Sequence, residues 1–97
     1  MMTFFTVEQI KQANAEAGQH WFDPGALRFF SSRVSGPVVG GRYFISSEKF
    51  TSVATGLSDP RKYTIRVADD DGSIDTVGEF QQYTTKRAAL TAARALD

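Results

Sequence analysis

The chain has no cysteine. That excludes disulfides, thiolate metal sites and cysteine nucleophiles together, and it fits a reducing compartment. It has one histidine, His20, so a metal site built on paired histidines cannot form. It also lacks a charge of either sign in excess, with eleven basic residues against eleven acidic ones. A protein that lives on phosphate contacts carries clear positive charge, because counterion release drives its affinity. A mimic of nucleic acid is strongly acidic. This chain is neither, so charge gives little bulk steering of any partner. No apolar run approaches the roughly 18 residues of a membrane span. The start, MMTFFTVEQIK, has no basic stretch followed by an apolar core, as a signal peptide would. A soluble protein of the cytoplasm, without a membrane partner, is the expectation.

What is present describes one globular domain over residues 1–97, 41% hydrophobic and 23% charged. A chain of this length buries roughly two-thirds of the surface its unfolded form exposes, enough for one modest core.

Two helix starts share a grammar. In FTVEQI, Thr6 is an N-cap candidate and Gln9 closes a capping box. Phe5 and Ile10 stand at the staple positions, and Val7, Ile10, Ala13 and Ala17 recur at helical spacing. Gly18 is a natural stop, so a helix is predicted over about residues 7 to 17. In FDPGAL, Asp23 is the N-cap and Pro24 the first helical residue. Phe22 and Leu27 take the staple positions of a short helix over about 24 to 31, with Phe30 beside Leu27 in the core.

SGPVVGG, residues 35 to 41, reads as a loop between two strands, and GRYFISS, residues 41 to 47, as a strand. Residues 48 to 60 lack periodicity and read mostly as loop. In RKYTIRVADDDGSIDTVGEFQQY, Asp71-Gly72 favours a two-residue type I′ turn. That turn places Asp70 opposite Ser73, Val67 opposite Thr76, Ile65 opposite Gly78 and Tyr63 opposite Phe80. Tyr63, Ile65, Val67 and Phe80 then share the inner face. Lys62, Thr64, Arg66, Asp75, Glu79 and Gln81 share the outer one, with Arg66 and Glu79 in diagonal reach. Gly78 leaves room for a close approach. TTKRAALTAARALD has strong helix propensity, with Thr84 or Thr85 as cap and a thin stripe of Ala89, Ala92, Ala93 and Leu96 widened by Leu90. The order α-α-β-β-β-β-α predicts an α+β domain, its antiparallel three- to four-stranded sheet carrying helices on one face.

Chemistry has fewer signals. His20 reads as a surface or half-buried residue, with a partner contact or general base as the alternative. DDDGSID gathers Asp69, Asp70, Asp71 and Asp75, but calcium loops of the EF-hand type alternate their ligands over about twelve residues and end in glutamate. The cluster reads instead as an acidic hairpin tip, solvated or touching a basic partner. GPVVGGRY has the glycine spacing of a phosphate loop, with Arg42 and Tyr43 in place of Lys and Ser/Thr and a strand where a helix should start. No nucleophile elbow, zinc-protease helix or dinucleotide fingerprint occurs. No cofactor, metal or catalytic residue is expected. Trp21, Phe22, Phe29 and Phe30 are either core or, with Arg28 and Arg33, a surface for stacking bases. Trp21 and Phe29 are the members left over once the staple and core positions are filled.

HWFDPGALRFFSSRV, GGRYFISSE, YTIR and DGSIDTVGEFQQY together resemble a group of small proteins from phages and mobile elements. The resemblance covers most of residues 7 to 96. It implies a phage-type accessory protein acting in a bacterial or archaeal host. Such proteins include anti-CRISPR inhibitors, compact domains that occupy a surface of a host defence complex. The balanced charge departs from their acidic DNA-mimic type. The leading expectation is a non-enzymatic binding protein that blocks a host protein complex, a CRISPR effector among the candidates. Its expected contacts are Asp69, Asp70, Asp71, Asp75, Trp21 and Arg33. The alternative is a nucleic-acid-associated accessory protein using Arg28, Arg33, Arg42, Arg66, Arg87 and Arg94. A weaker third is a hydrolase pairing carboxylates among Glu48, Asp59 and Glu79.

Overall fold

The computed structural model describes residues 3–28, 32–49, 55–56 and 60–96. In chain order these form α1 (Val7–Glu16), α2 (Pro24–Arg28), β1 (Arg33–Val39), β2 (Tyr43–Glu48), β3 (Lys62–Ala68), β4 (Ile74–Val77) and α3 (Lys86–Leu96). The four strands make an antiparallel sheet in the order β1-β2-β3-β4, and Tyr83 adds a single bridge to Tyr63. The class is α+β, with the element order read from the sequence.

The capping box of α1 forms as expected. Thr6 Oγ1 accepts from the Gln9 N–H, and the Gln9 side chain accepts from the Thr6 N–H. The helix ends in a Schellman motif. Gly18, at φ +75°, donates to Ala15, and Gln19 donates to Asn14. The staple does not form, because Phe5 is 76% exposed. Phe4 turns inward instead and packs in one cluster with Ile10. The Phe4 N–H bonds the Gly41 carbonyl, which sets the chain direction one residue before the staple position.

At α2 the Asp23 side chain accepts from the Gly25 N–H and its carbonyl from the Leu27 N–H, so the predicted cap is in place. Phe22 is in the core. Phe29 and Phe30, and the last turn expected there, lie outside the described residues.

The expected loop over 35 to 41 is strand for most of its length. β1 runs through Gly36 and Pro37, joined by a cis peptide, to Val39, and its pairing with β2 is irregular between Ser35 and Val39. Only residues 40 to 42 remain as turn, with Gly40 and Gly41 both at positive φ.

The β3–β4 hairpin is present, but one residue out of the expected register. Ala68 faces Ile74, Val67 faces Asp75, Arg66 faces Thr76 and Ile65 faces Val77. The turn holds three residues rather than two. The Gly72 N–H bonds the Asp69 carbonyl, Gly72 sits at φ +86°, and the Asp69 N–H bonds the Ser73 carbonyl. This is a type I turn closed by a glycine bulge. A one-residue slip turns over every side chain of β4, so Thr76 joins Arg66's face and Asp75 joins Ile65's. Ile65 meets Val77, not Gly78, and Phe80 lies past the strand, 44% exposed rather than inside.

The sheet is covered on both faces, which corrects the expectation of helices on one. Ile45 and Ile65 pack with Ala89 and Ala93 of α3. Phe44 and Ala68, on the opposite side of the pleat, pack with Phe4, Ile10 and Phe22. A stripe of Ala89 and Ala93, flanked by Ala92 and Leu90, lets α3 lie close to the strands, while Leu96 is exposed. Thr85 is the cap of α3, accepting from the Ala88 N–H at 3.1 Å. No helix among the described residues is long and apolar enough to cross a membrane.

Candidate functional site

Two polar constellations stand out, one buried and one exposed. The buried one centres on Glu48, at the end of β2. Its carboxylate accepts from Ser46 Oγ at 2.5 Å, Thr64 Oγ1 at 3.0 Å and Arg66 Nη2 at 3.1 Å. Arg66 spends its other nitrogens on Ser46 Oγ and Thr76 Oγ1. Alternation along β2 and β3 puts all these side chains on the α1 face. The guanidinium carbon lies 5.3 Å from the Trp21 ring centre and 5.5 Å from that of Phe80. The side chains of Arg66 and Glu48 are only 12% and 1% exposed, so the ion pair is taken out of water.

Gln81 closes this network from the side. Its N–H donates to Thr64 Oγ1 at 2.8 Å and its amide to the Glu48 carbonyl at 3.2 Å. To do so it adopts φ 57°, the left-handed region that non-glycine residues seldom visit. Trp21, Ala26, Leu27, Ser32, Arg66 and Phe80 line a pocket of about 250 Å³ above the pair. Arg66 is thus neutralised by Glu48 and hydrogen-bonded within the sheet, so the cluster acts as an internal brace. Its expected partner, Glu79, is not the one it takes.

The exposed constellation is the β3–β4 tip. Asp69, Asp70, Asp71 and Asp75 are all exposed. Ser73 Oγ donates to Asp71 at 2.7 Å and to Asp69 at 3.2 Å, and the Ser73 N–H donates to Asp71 at 3.0 Å. These bonds favour the charged form, so Asp71 is held below the usual carboxylate range. Arg42, Ala68 and the three consecutive aspartates line a recess of about 380 Å³. Among the described residues no group of acidic or histidine side chains is arranged to hold a metal ion.

The tip is held rigidly. Gly72 is buried against α1, and Asn14 Nδ2 donates to its carbonyl at 2.8 Å. The same Asn14 accepts the Trp21 N–H at 3.2 Å. Two of the expected contact regions, the tip and the Trp21 loop, are therefore joined through one buried side chain. Trp21 is half-buried, its ring centre 4.7 Å from that of Phe22 and 5.7 Å from that of Phe44, both pairs in T-shaped arrangement. Arg33 is exposed but lies apart. It pairs with Ser47, which pairs with Tyr63, at the end of the sheet away from the tip.

A family model described as a family of unknown function, DUF7447, matches residues 6–94. The chain belongs to this family. No curated protein and no solved structure matches it. In this DUF7447 chain, then, the chemistry is read from the side chains themselves. His20 is exposed, as are Arg28, Arg87 and Arg94. Asp59 lies outside the described residues. Sequence reasoning passed over Asn14, named Glu48 only as a carboxylate to pair with Asp59 or Glu79, and placed Gln81 only on the outer face of the hairpin, not in the network with Thr64, Arg66 and Glu48. The first was legible, since Val7, Ile10 and Asn14 at steps of three and four place a polar residue on the buried line of α1. Glu48 and Gln81 meet across 33 residues, and no local spacing signals that contact.

Proposed function

We propose that the chain is a non-enzymatic binding protein whose acidic hairpin tip recognises a protein partner. One observation carries the reading. Three exposed carboxylates, Asp69, Asp70 and Asp71, stand on a turn anchored to α1 through Gly72 and Asn14, with Arg42 as the cation beside them, and a fourth, Asp75, follows on β4. A charged surface on a rigid support favours selective protein contact, since little ordering entropy is lost on binding. The buried ion pair supports the same reading, because Glu48 and Arg66, both enclosed, are spent on one another. The resemblance to phage-type accessory proteins points to a host complex, a CRISPR effector among the candidates, as the surface that is blocked.

Affinity capture from bacterial lysate tests this, run with the native chain and with the paired variant Asp70→Asn/Asp75→Asn. The expected result is one specific protein held by the native chain and weakened roughly tenfold by the variant, a loss typical of charge contacts at an interface. Recovery of no specific protein at micromolar concentration would overturn the reading. So would a gel shift of nucleic acid at low salt that weakens steeply as salt rises.

A further inference from the structure

The two edges of the sheet are unlike. β1 is interrupted as an edge for further pairing. Pro37 has no N–H, the Gly36 carbonyl already accepts from Lys86 Nζ at 2.9 Å, and the strand is irregular between Ser35 and Val39. β4 pairs regularly with β3 and contains no proline.

The direction of β4's backbone groups follows from its partners. Tyr63 and Tyr83 exchange N–H···O bonds at 2.8 and 3.0 Å, and the Asp69 N–H bonds the Ser73 carbonyl at 2.9 Å. The Ala68 N–H turns the other way, to the Arg42 carbonyl. Odd-numbered residues of β3 therefore bond toward β4, where Asp75 and Val77 answer them. Ile74 and Thr76 point their N–H and C=O groups away from the sheet. Among the described residues these groups have no partner.

The ground beside this edge is negative. Asp69, Asp70 and Asp71 precede the strand, Asp75 lies on it, Glu79 follows it, and all are exposed. The last turn of α1, which packs on Gly72, has no basic residue to offset the partial negative charge of its end. Arg42 is the cation at the tip, and Arg66, behind the strand, is paired with Glu48.

We infer that β4 accepts an added strand from an extended, basic segment of the partner protein. Main-chain bonds to Ile74 and Thr76 would supply the pairing, and the flanking carboxylates would select lysine and arginine. A second copy of this chain is a poor occupant, because self-pairing sets Asp75 against the copy's own acidic flank. The inference rests on the reading of the molecule as a protein-contact module, and its test separates the two.

The probe is a short synthetic peptide alternating Lys or Arg with Val or Thr, titrated into the isotopically labelled full chain. Companion peptides carry Glu in place of the basic residues, or N-methyl groups on alternate amides so that one peptide edge or the other is blocked. The expected result is that amide exchange at Ile74 and Thr76 slows by roughly tenfold or more. The acidic peptide should not bind. One of the two N-methylated peptides should lose affinity at least about tenfold while the other keeps it. Asp75→Lys, at an exposed position, should weaken the basic peptide without unfolding the chain. Failure of the basic peptide to bind would overturn strand addition. Equal binding by both N-methylated forms, or unchanged exchange at Ile74 and Thr76, would overturn it too. In each case a partner captured through the tip carboxylates would leave the broader reading standing.

Discussion

At the scale of single residues, Gly72 is tightly constrained. Its φ of +86° suits glycine, and a β-carbon there would stand 2.4 Å from the Ala13 carbonyl oxygen. That neighbour is helix backbone and cannot turn aside. Gly72→Ala is expected to cost about 2–3 kcal/mol, combining left-handed strain with displacement of α1; urea unfolding measures it. Asp71 next door gives a pH signature. Its carboxylate titrates below the usual range because Ser73 bonds its charged form. The stability this contributes is present above the unfolded value, near pH 4, and is lost as pH falls through the folded one. Carbon-detected NMR titration should place Asp71 below the usual carboxylate range, and Ser73→Ala should raise it. The Glu48–Arg66 pair behaves differently, being buried. Glu48→Ala leaves a cation without its partner and should cost about 3–5 kcal/mol, whereas replacing both residues with apolar ones of similar size should cost less. A denaturant series on the single and double variants decides it.

At the scale of elements, local chemistry carried far. Thr6 with Gln9, Asp23 with Pro24, Gly18 and Thr85 each mark a helix boundary through hydrogen bonds made within a few residues, and those the structure finds. The hairpin shows where such reading stops. Asp71-Gly72 suits a two-residue turn, yet docking of the glycine on α1 and the bonds from Ser73 to Asp69 and Asp71 favour the three-residue form. Those partners are remote in sequence or compete among themselves, so dipeptide preference alone gave the wrong register. Phe4 and Phe5 teach the same lesson. Both precede the same cap, and only the bond from Phe4 to Gly41, on another element, decides which turns inward. The candidate site divides likewise. The aspartates were legible as an exposed turn, while Glu48, Thr64 and Gln81 depend on strand order that no local pattern contains. Phe4→Ala should therefore cost about 3–5 kcal/mol and Phe5→Ala almost nothing, in thermal or chemical denaturation. Ala93→Leu, on the thin stripe of α3, should cost about 1–3 kcal/mol by forcing the helix off the sheet.

At the scale of the whole molecule, the sheet is a shared wall between two half-cores. β2 and β3 lend Phe44 to one and Ile45 and Ile65 to the other, so neither half keeps its strands if the other melts. Trp21, the chain's one tryptophan, reports from the α1 side. Ala93→Gly, on the far side, should lower the midpoint seen by Trp21 fluorescence and that seen by far-ultraviolet circular dichroism equally, as one cooperative unit requires. Separate midpoints would show two independent layers. The interruption of β1 by Pro37 and Lys86 has a consequence for assembly. A sheet growing by edge contact needs two receptive sides to run on into a filament, and here any strand that joins at β4 meets a far side interrupted at Gly36 and Pro37, which works against growth through this domain beyond a single addition.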